Sequence, residues 1–110
     1  MGNVIAILSD ILRETTANNL VWKRSWKEGY TDVLRAVTPS KNGDVIFLLY
    51  EKGVVETGHL RGGMKVVLEI STGGNESLTI FGNTTLEPLY IHAQSQVKRR
   101  ESNLENEELL

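Results

Sequence analysis

Val45-Ile46-Phe47-Leu48-Leu49-Tyr50 is an unbroken apolar run, entered from the turn-forming Asn42-Gly43-Asp44 and left through Glu51-Lys52. Its length and its flanking turn residues mark it as a strand. Side chains alternate between faces along a strand, so this one is apolar on both sides. It cannot turn either face to water cheaply, and its place is the centre of a sheet. A sheet built around it needs cover on both faces, and this requirement shapes the rest of the chain.

The flanking segments show which elements are available for that cover. Val4, Leu8, Ile11, Leu12 and Thr15 recur at helical spacing, with Ile5 and Ile7 beside the stripe. A helix is expected over Val4–Ala17, capped by Asn3 and ended at Asn18-Asn19, since Asn tolerates the left-handed conformation of a C-cap. The period then changes to two. Leu20–Lys27 reads as a strand with Trp22, Arg24 and Trp26 on one face and Lys23 and Lys27 on the other. Glu28-Gly29 turns the chain into a second strand, about Tyr30–Thr38.

After the central strand, Glu51-Lys52-Gly53 reads as a bulge or turn, with Val54-Val55 continuing the pairing, and Gly58–Gly63 as a glycine-rich loop. Met64–Ser71 and Ser77–Phe81 flank the turn residues Thr72–Glu76 and form the clearest hairpin. Thr84-x-x-Glu87 has the form of a capping box, with Thr85 as the alternative cap that places Pro88 in the first turn. Leu86, Leu89, Tyr90, Ala93 and Val97 form the stripe of a closing helix.

These elements give an α+β fold: an antiparallel meander sheet of four to five strands, flanked by an N-terminal and a C-terminal helix. The 110 residues suit a single domain. It is expected over residues 1–100, with residues 101–110 as a charged tail in which the helix frays.

The Trp-bearing first strand, Tyr30 at the head of the second, the Val66–Ile80 hairpin and the closing Leu86-x-x-Leu89-Tyr90-x-x-Ala93-x-x-Gln96 run together resemble a group of small bacterial helix–sheet–helix proteins of uncharacterised function. The resemblance covers about residues 4–97. It implies the architecture and a bacterial setting, and it brings no catalytic residues.

Composition removes several classes of chemistry. The chain has no cysteine, so disulfides, thiolate nucleophiles and sulfur-ligated zinc are excluded, and a reducing compartment such as the cytoplasm fits. No apolar run is long enough to span a bilayer, no secretory signal is visible, and no membrane association is expected. Met1-Gly2-Asn3 has the start of a myristoylation signal, but Ala6 stands where that signal needs Ser or Thr. The net charge of −2 argues against a role centred on phosphate backbones. Asn75-Glu76-Ser77 and Asn83-Thr84-Thr85 have the glycosylation pattern, and turn chemistry accounts for them.

Two weak chemical constellations remain. Glu56, His59 and Arg61 meet in the glycine-rich loop, where backbone N–H groups could hold an anion; a plain connecting loop is the simpler account. Trp22-Lys23-Arg24-Ser25-Trp26-Lys27, with Lys98-Arg99-Arg100, mixes aromatic and basic groups as single-strand nucleic-acid binders do. Packed tryptophans with outward lysines are the commoner outcome for the first segment, and a solvated helix end explains the second. His59 and His92 have no visible ligand partners, so no metal and no cofactor are expected.

Two helices cover one face of the sheet and leave the other open. Trp22, Trp26, Phe47 and Leu49 are therefore the candidate interface residues. The leading expectation is a non-enzymatic interaction or regulatory protein, acting as a homodimer or as a partner-binding subunit. A small-ligand or anion-binding enzyme using the 56–63 loop is the first alternative, and nucleic-acid binding is the second.

Overall fold

A computed structural model describes residues 3–41, 43–54, 63–73 and 76–108. The elements are α1 (Asn3–Thr16), β1 (Lys23–Lys27), β2 (Tyr30–Thr38), β3 (Val45–Val54), β4 (Gly63–Ser71), β5 (Ser77–Phe81) and α2 (Leu86–Glu108). The strands form one antiparallel meander in the order β1-β2-β3-β4-β5, so the doubly apolar β3 is central. The expected α+β architecture, with a helix at each end, is the one observed. β3 runs straight through Glu51-Lys52-Gly53 to Val54, pairing Lys52 with Lys65 and Gly53 with Met64, so these residues are strand and not a turn.

Register sorts the sheet into two faces. Leu34, Leu49, Leu68 and Ile80 align across β2 to β5 on the face under the helices, beside the row Ala36, Phe47, Ile70 and Leu78. All of these but Leu78 pack with Leu8 and Ile11 of α1 and Leu86, Leu89, Tyr90, Ala93 and Val97 of α2 in one core. On the opposite face Val33, Tyr50 and Val67 form a smaller buried cluster, with Tyr30 and Leu48 packed against it. The second face of β3 is therefore largely sheltered by neighbouring strands' side chains within a single chain.

This arrangement corrects the expectation that four residues await a partner. Trp22, Phe47 and Leu49 are 0%, 7% and 0% exposed and belong to the core. Only Trp26, at 78% exposure, faces solvent. The two tryptophans diverge because Trp22 lies just before β1 and its indole is drawn under the helices, donating from Nε1 to the Thr15 hydroxyl at 2.9 Å.

Local chemistry fixes the helix ends. Asn18 takes φ 62°, the left-handed conformation expected of it, and the N–H groups of Asn19 and Leu20 both donate to the Glu14 carbonyl. At α2 the side-chain oxygen of Asn83 accepts from the Thr85 N–H at 2.8 Å, and the Thr85 carbonyl accepts the Leu89 N–H. Pro88 then lies in the first turn, where no helical N–H is needed. α2 continues past Arg100 to Glu108. Glu101 accounts for part of that extension: Arg24 of β1 grips its carboxylate through Nε and Nη2 at 2.7 and 2.9 Å. No helix among the described residues is long and apolar enough to cross a membrane.

The α1–β1 connection is held from the far end of the chain. The buried Gln96 carboxamide accepts from the Trp22 N–H at 2.6 Å and donates to the carbonyls of Leu20 at 2.8 Å and Thr15 at 3.3 Å. Buried backbone polar groups without partners are costly, about 1–3 kcal/mol each. Gln96→Leu keeps the volume and strips all three partners, so chemical denaturation should show a loss of about 2–4 kcal/mol. Thr15→Val should cost less, and the double variant less than the sum, because both changes release the same Trp22 segment.

Candidate functional site

α1 crosses the end of the sheet where β3, β4 and β5 present Phe47, Ile70 and Leu78. Helix and sheet do not close completely there. Ile7 and Ile11 of α1, with Val45, Phe47, Ile70 and Leu78, wall a hollow of ≈ 390 Å³ whose polar lining is Asp10, Thr72, Glu76 and Ser77. A second hollow of ≈ 240 Å³ shares Asp10, Ile11 and Phe47 and runs on past Glu14, Asn19, Leu20 and Thr38. Together they make a groove along α1 with an apolar floor and carboxylates near its mouth. Leu78 in its wall is 44% exposed.

The rim is acidic on balance. Asp10 and Glu14 share one cation, Arg13, whose guanidinium lies 2.9 Å from Asp10 and 3.9 Å from Glu14. Arg13 and Asp10 are exposed and Glu14 is half-exposed, so the pairing is weak and leaves the carboxylates able to meet an incoming cation. Glu76, also exposed, adds a third carboxylate.

On the opposite face Lys27 lies over two adjoining phenol rings. Its Nζ is 5.7 Å from the centroid of Tyr30 and 5.4 Å from that of Tyr50, and 3.4 Å from a Glu69 oxygen. The two rings are 4.7 Å apart and tilted by 56°. Burial, followed by the nearby Glu69 carboxylate, pushes the Tyr50 phenol up to about 12. Tyr90 is also pushed up to about 12, first by burial and then by Glu51 and Asp32. Its hydroxyl donates to the Asp32 carbonyl at 2.7 Å. Asp32 sits in an irregularity of the β1–β2 ladder with φ 53°, a conformation Asp tolerates better than most residues.

Between β1 and α2, hydrogen bonding and charge from Glu101 raise Arg24, and Arg24 holds the Glu101 carboxyl below the usual range. Beside this clamp, Asn18, Val21, Gln96, Arg99, Arg100 and Asn103 surround a hollow of ≈ 400 Å³. The buried Nε of Arg100 has no hydrogen-bond partner there among the described residues.

The sequence candidates fall differently. Glu56, His59 and Arg61 lie outside the described residues. His92 is exposed on α2, and among the described residues no group of three His, Asp or Glu side chains is placed to hold a metal ion. The Trp/Lys/Arg strand is not an open stacking platform. Trp22 is internal, Arg24 is engaged by Glu101, and Lys27 by Glu69 and the tyrosines. The groove went unforeseen, although one signal for it was present. Ile5 and Ile7 widen the α1 stripe beyond what one buried face uses, and Ile5 ends up 68% exposed.

The two raised phenols make stability fall with alkali. Between pH about 10 and about 12 the unfolded chain releases protons that folded Tyr50 and Tyr90 keep. Their contribution is therefore complete below pH 10 and lost as pH rises through the folded value. Tyrosinate absorbance should show two phenols ionising late, and Tyr50→Phe and Tyr90→Phe should each remove one of them.

Compared with protein-family models, curated proteins and solved structures, the chain gives no match, so its function has to be argued from this geometry.

Proposed function

We propose that this chain is a non-enzymatic protein-interaction domain, and that its α1 groove seats an apolar segment of a partner protein flanked by Lys or Arg. The observation that carries the proposal is the contrast within the groove: aliphatic and aromatic side chains line the floor, and carboxylates stand at the rim. An amphipathic segment laid into such a groove buries its apolar side chains, and its cations meet Asp10, Glu14 and Glu76. The rim charges set which partners are admitted and how fast they arrive, and the floor supplies most of the binding free energy. The cysteine-free composition and the bacterial resemblance favour a cytoplasmic setting for this exchange.

The test is a pair of designed helical peptides with the same leucine pattern, one carrying lysines and the other glutamates, titrated while methyl signals are followed by NMR. The lysine peptide should bind and shift the methyl groups of Ile7, Ile11, Ile70 and Leu78. The glutamate peptide should bind at least ten-fold more weakly. Asp10→Lys with Glu14→Lys should reverse that preference without unfolding the protein, since Asp10 is exposed and the Glu14 side chain reaches solvent. Equal binding of the two peptides, or shifts confined to another surface, would refute the proposal.

A further inference from the structure

The two outer strands of the sheet are defended differently. β1 reads Lys-Arg-Ser-Trp-Lys, and β5 reads Ser-Leu-Thr-Ile-Phe. An edge strand exposes a row of unpaired N–H and C=O groups, and folded proteins discourage pairing there with charges, proline or bulges. β1 has three cations in five residues and an irregular ladder beside it. β5 has no charged residue, no proline and an unbroken register with β4. It leaves Leu78, on the helix face, and Phe81, on the opposite face, exposed by 44% and 53%.

From this contrast we infer that β5 is a self-association seam: two copies of the chain pair their β5 strands antiparallel across a two-fold axis, joining two five-stranded sheets into one.

Charge selects a second copy at this edge. A two-fold axis through Thr79 sets Thr79 against Thr79, and Leu78 against Ile80 of the second copy. Nothing in the strand opposes like charge to like charge, and small β-branched and aliphatic side chains meet across the seam. The same operation on β1, about Ser25, would set Lys23 against Lys27 of the second copy, which is destabilising. The pairing uses backbone groups that β4 does not reach, and it shelters Leu78 beside the second copy's Ile80. Closed two-fold pairing leaves only the cation-guarded β1 edges exposed, so the assembly stops at two. The seam borders the α1 groove, whose wall includes Ser77 and Leu78, and the Thr79 variants separate the two: Thr79 lies in the row of Arg35, Leu48 and Glu69, on the face away from the helices.

The experiment is sedimentation equilibrium on the full chain over a wide concentration range, with Thr79→Lys and Thr79→Glu as variants. Thr79 is exposed, so both should fold as the parent does, and far-ultraviolet circular dichroism checks this. The parent should dimerise. Each variant alone should dimerise at least ten-fold more weakly, and an equimolar mixture of the two should recover a heterodimer. Hydrogen exchange on the unaltered chain gives a second readout, in which amides within Ser77–Phe81 become more protected as concentration rises. A parent that stays monomeric, a dimer indifferent to both variants, or concentration-dependent protection elsewhere but not in β5 would overturn the inference.

Discussion

Three hydrogen bonds from the Gln96 carboxamide decide how the chain passes from its first helix into its sheet. The Thr15–Trp22 segment carries the C-terminal end of α1 and brings a tryptophan into the core, so its backbone polar groups are removed from water before any strand pairs with them. A single amide has both donors and an acceptor, and here it serves two carbonyls and one N–H at once. In the low-dielectric interior such a network is rigid when complete and costly when broken. The Trp22 ring it holds packs against Phe47, in the floor of the α1 groove.

Much of the fold was legible from periodicity. The doubly apolar run at Val45–Tyr50 required a central strand, and β2, β4 and β5 follow alternations that start and stop at turn residues. Asn18 as a left-handed helix terminator was readable for the same reason, since few side chains accept that conformation. What could not be read was depth. Trp22 and Trp26 are two aromatics four residues apart in one basic segment, and no local pattern shows that one is drawn under the helices while the other is left outside. That outcome depends on Thr15 and Gln96, which are distant in sequence. The same limit applies to α2. Lys98-Arg99-Arg100 followed by glutamates has the composition of a fraying end, but Arg24, far earlier in the chain, gives Glu101 a partner.

The candidate site was the least legible feature. Its floor is built from α1, β3, β4 and β5 residues that each read as ordinary core, and its rim from acids of α1 and of the β4–β5 connection that each read as ordinary surface. A groove arises where helix and sheet fail to close, and that failure is a property of the crossing geometry and of no single residue type. The second sheet face shows the reverse. Sequence suggested an exposed apolar surface there, yet Tyr30, Leu48 and the Lys27 side chain shelter most of it within one chain. Long side chains on neighbouring strands can stand in for a missing layer.

The clamps at Gln96 and Glu101 also bear on how the protein is made. Trp22 and Gln96 are 74 positions apart, and Arg24 and Glu101 are 77 apart, so the contacts that fix the first strand join opposite ends of the domain. During synthesis the meander can begin to pair as soon as its hairpins emerge, since those contacts are local. Trp22 and the polar groups around it have no satisfied position until residue 96 has left the ribosome. A nascent chain therefore carries an unfinished N-terminal third until its closing helix is available, and the domain becomes cooperative only then.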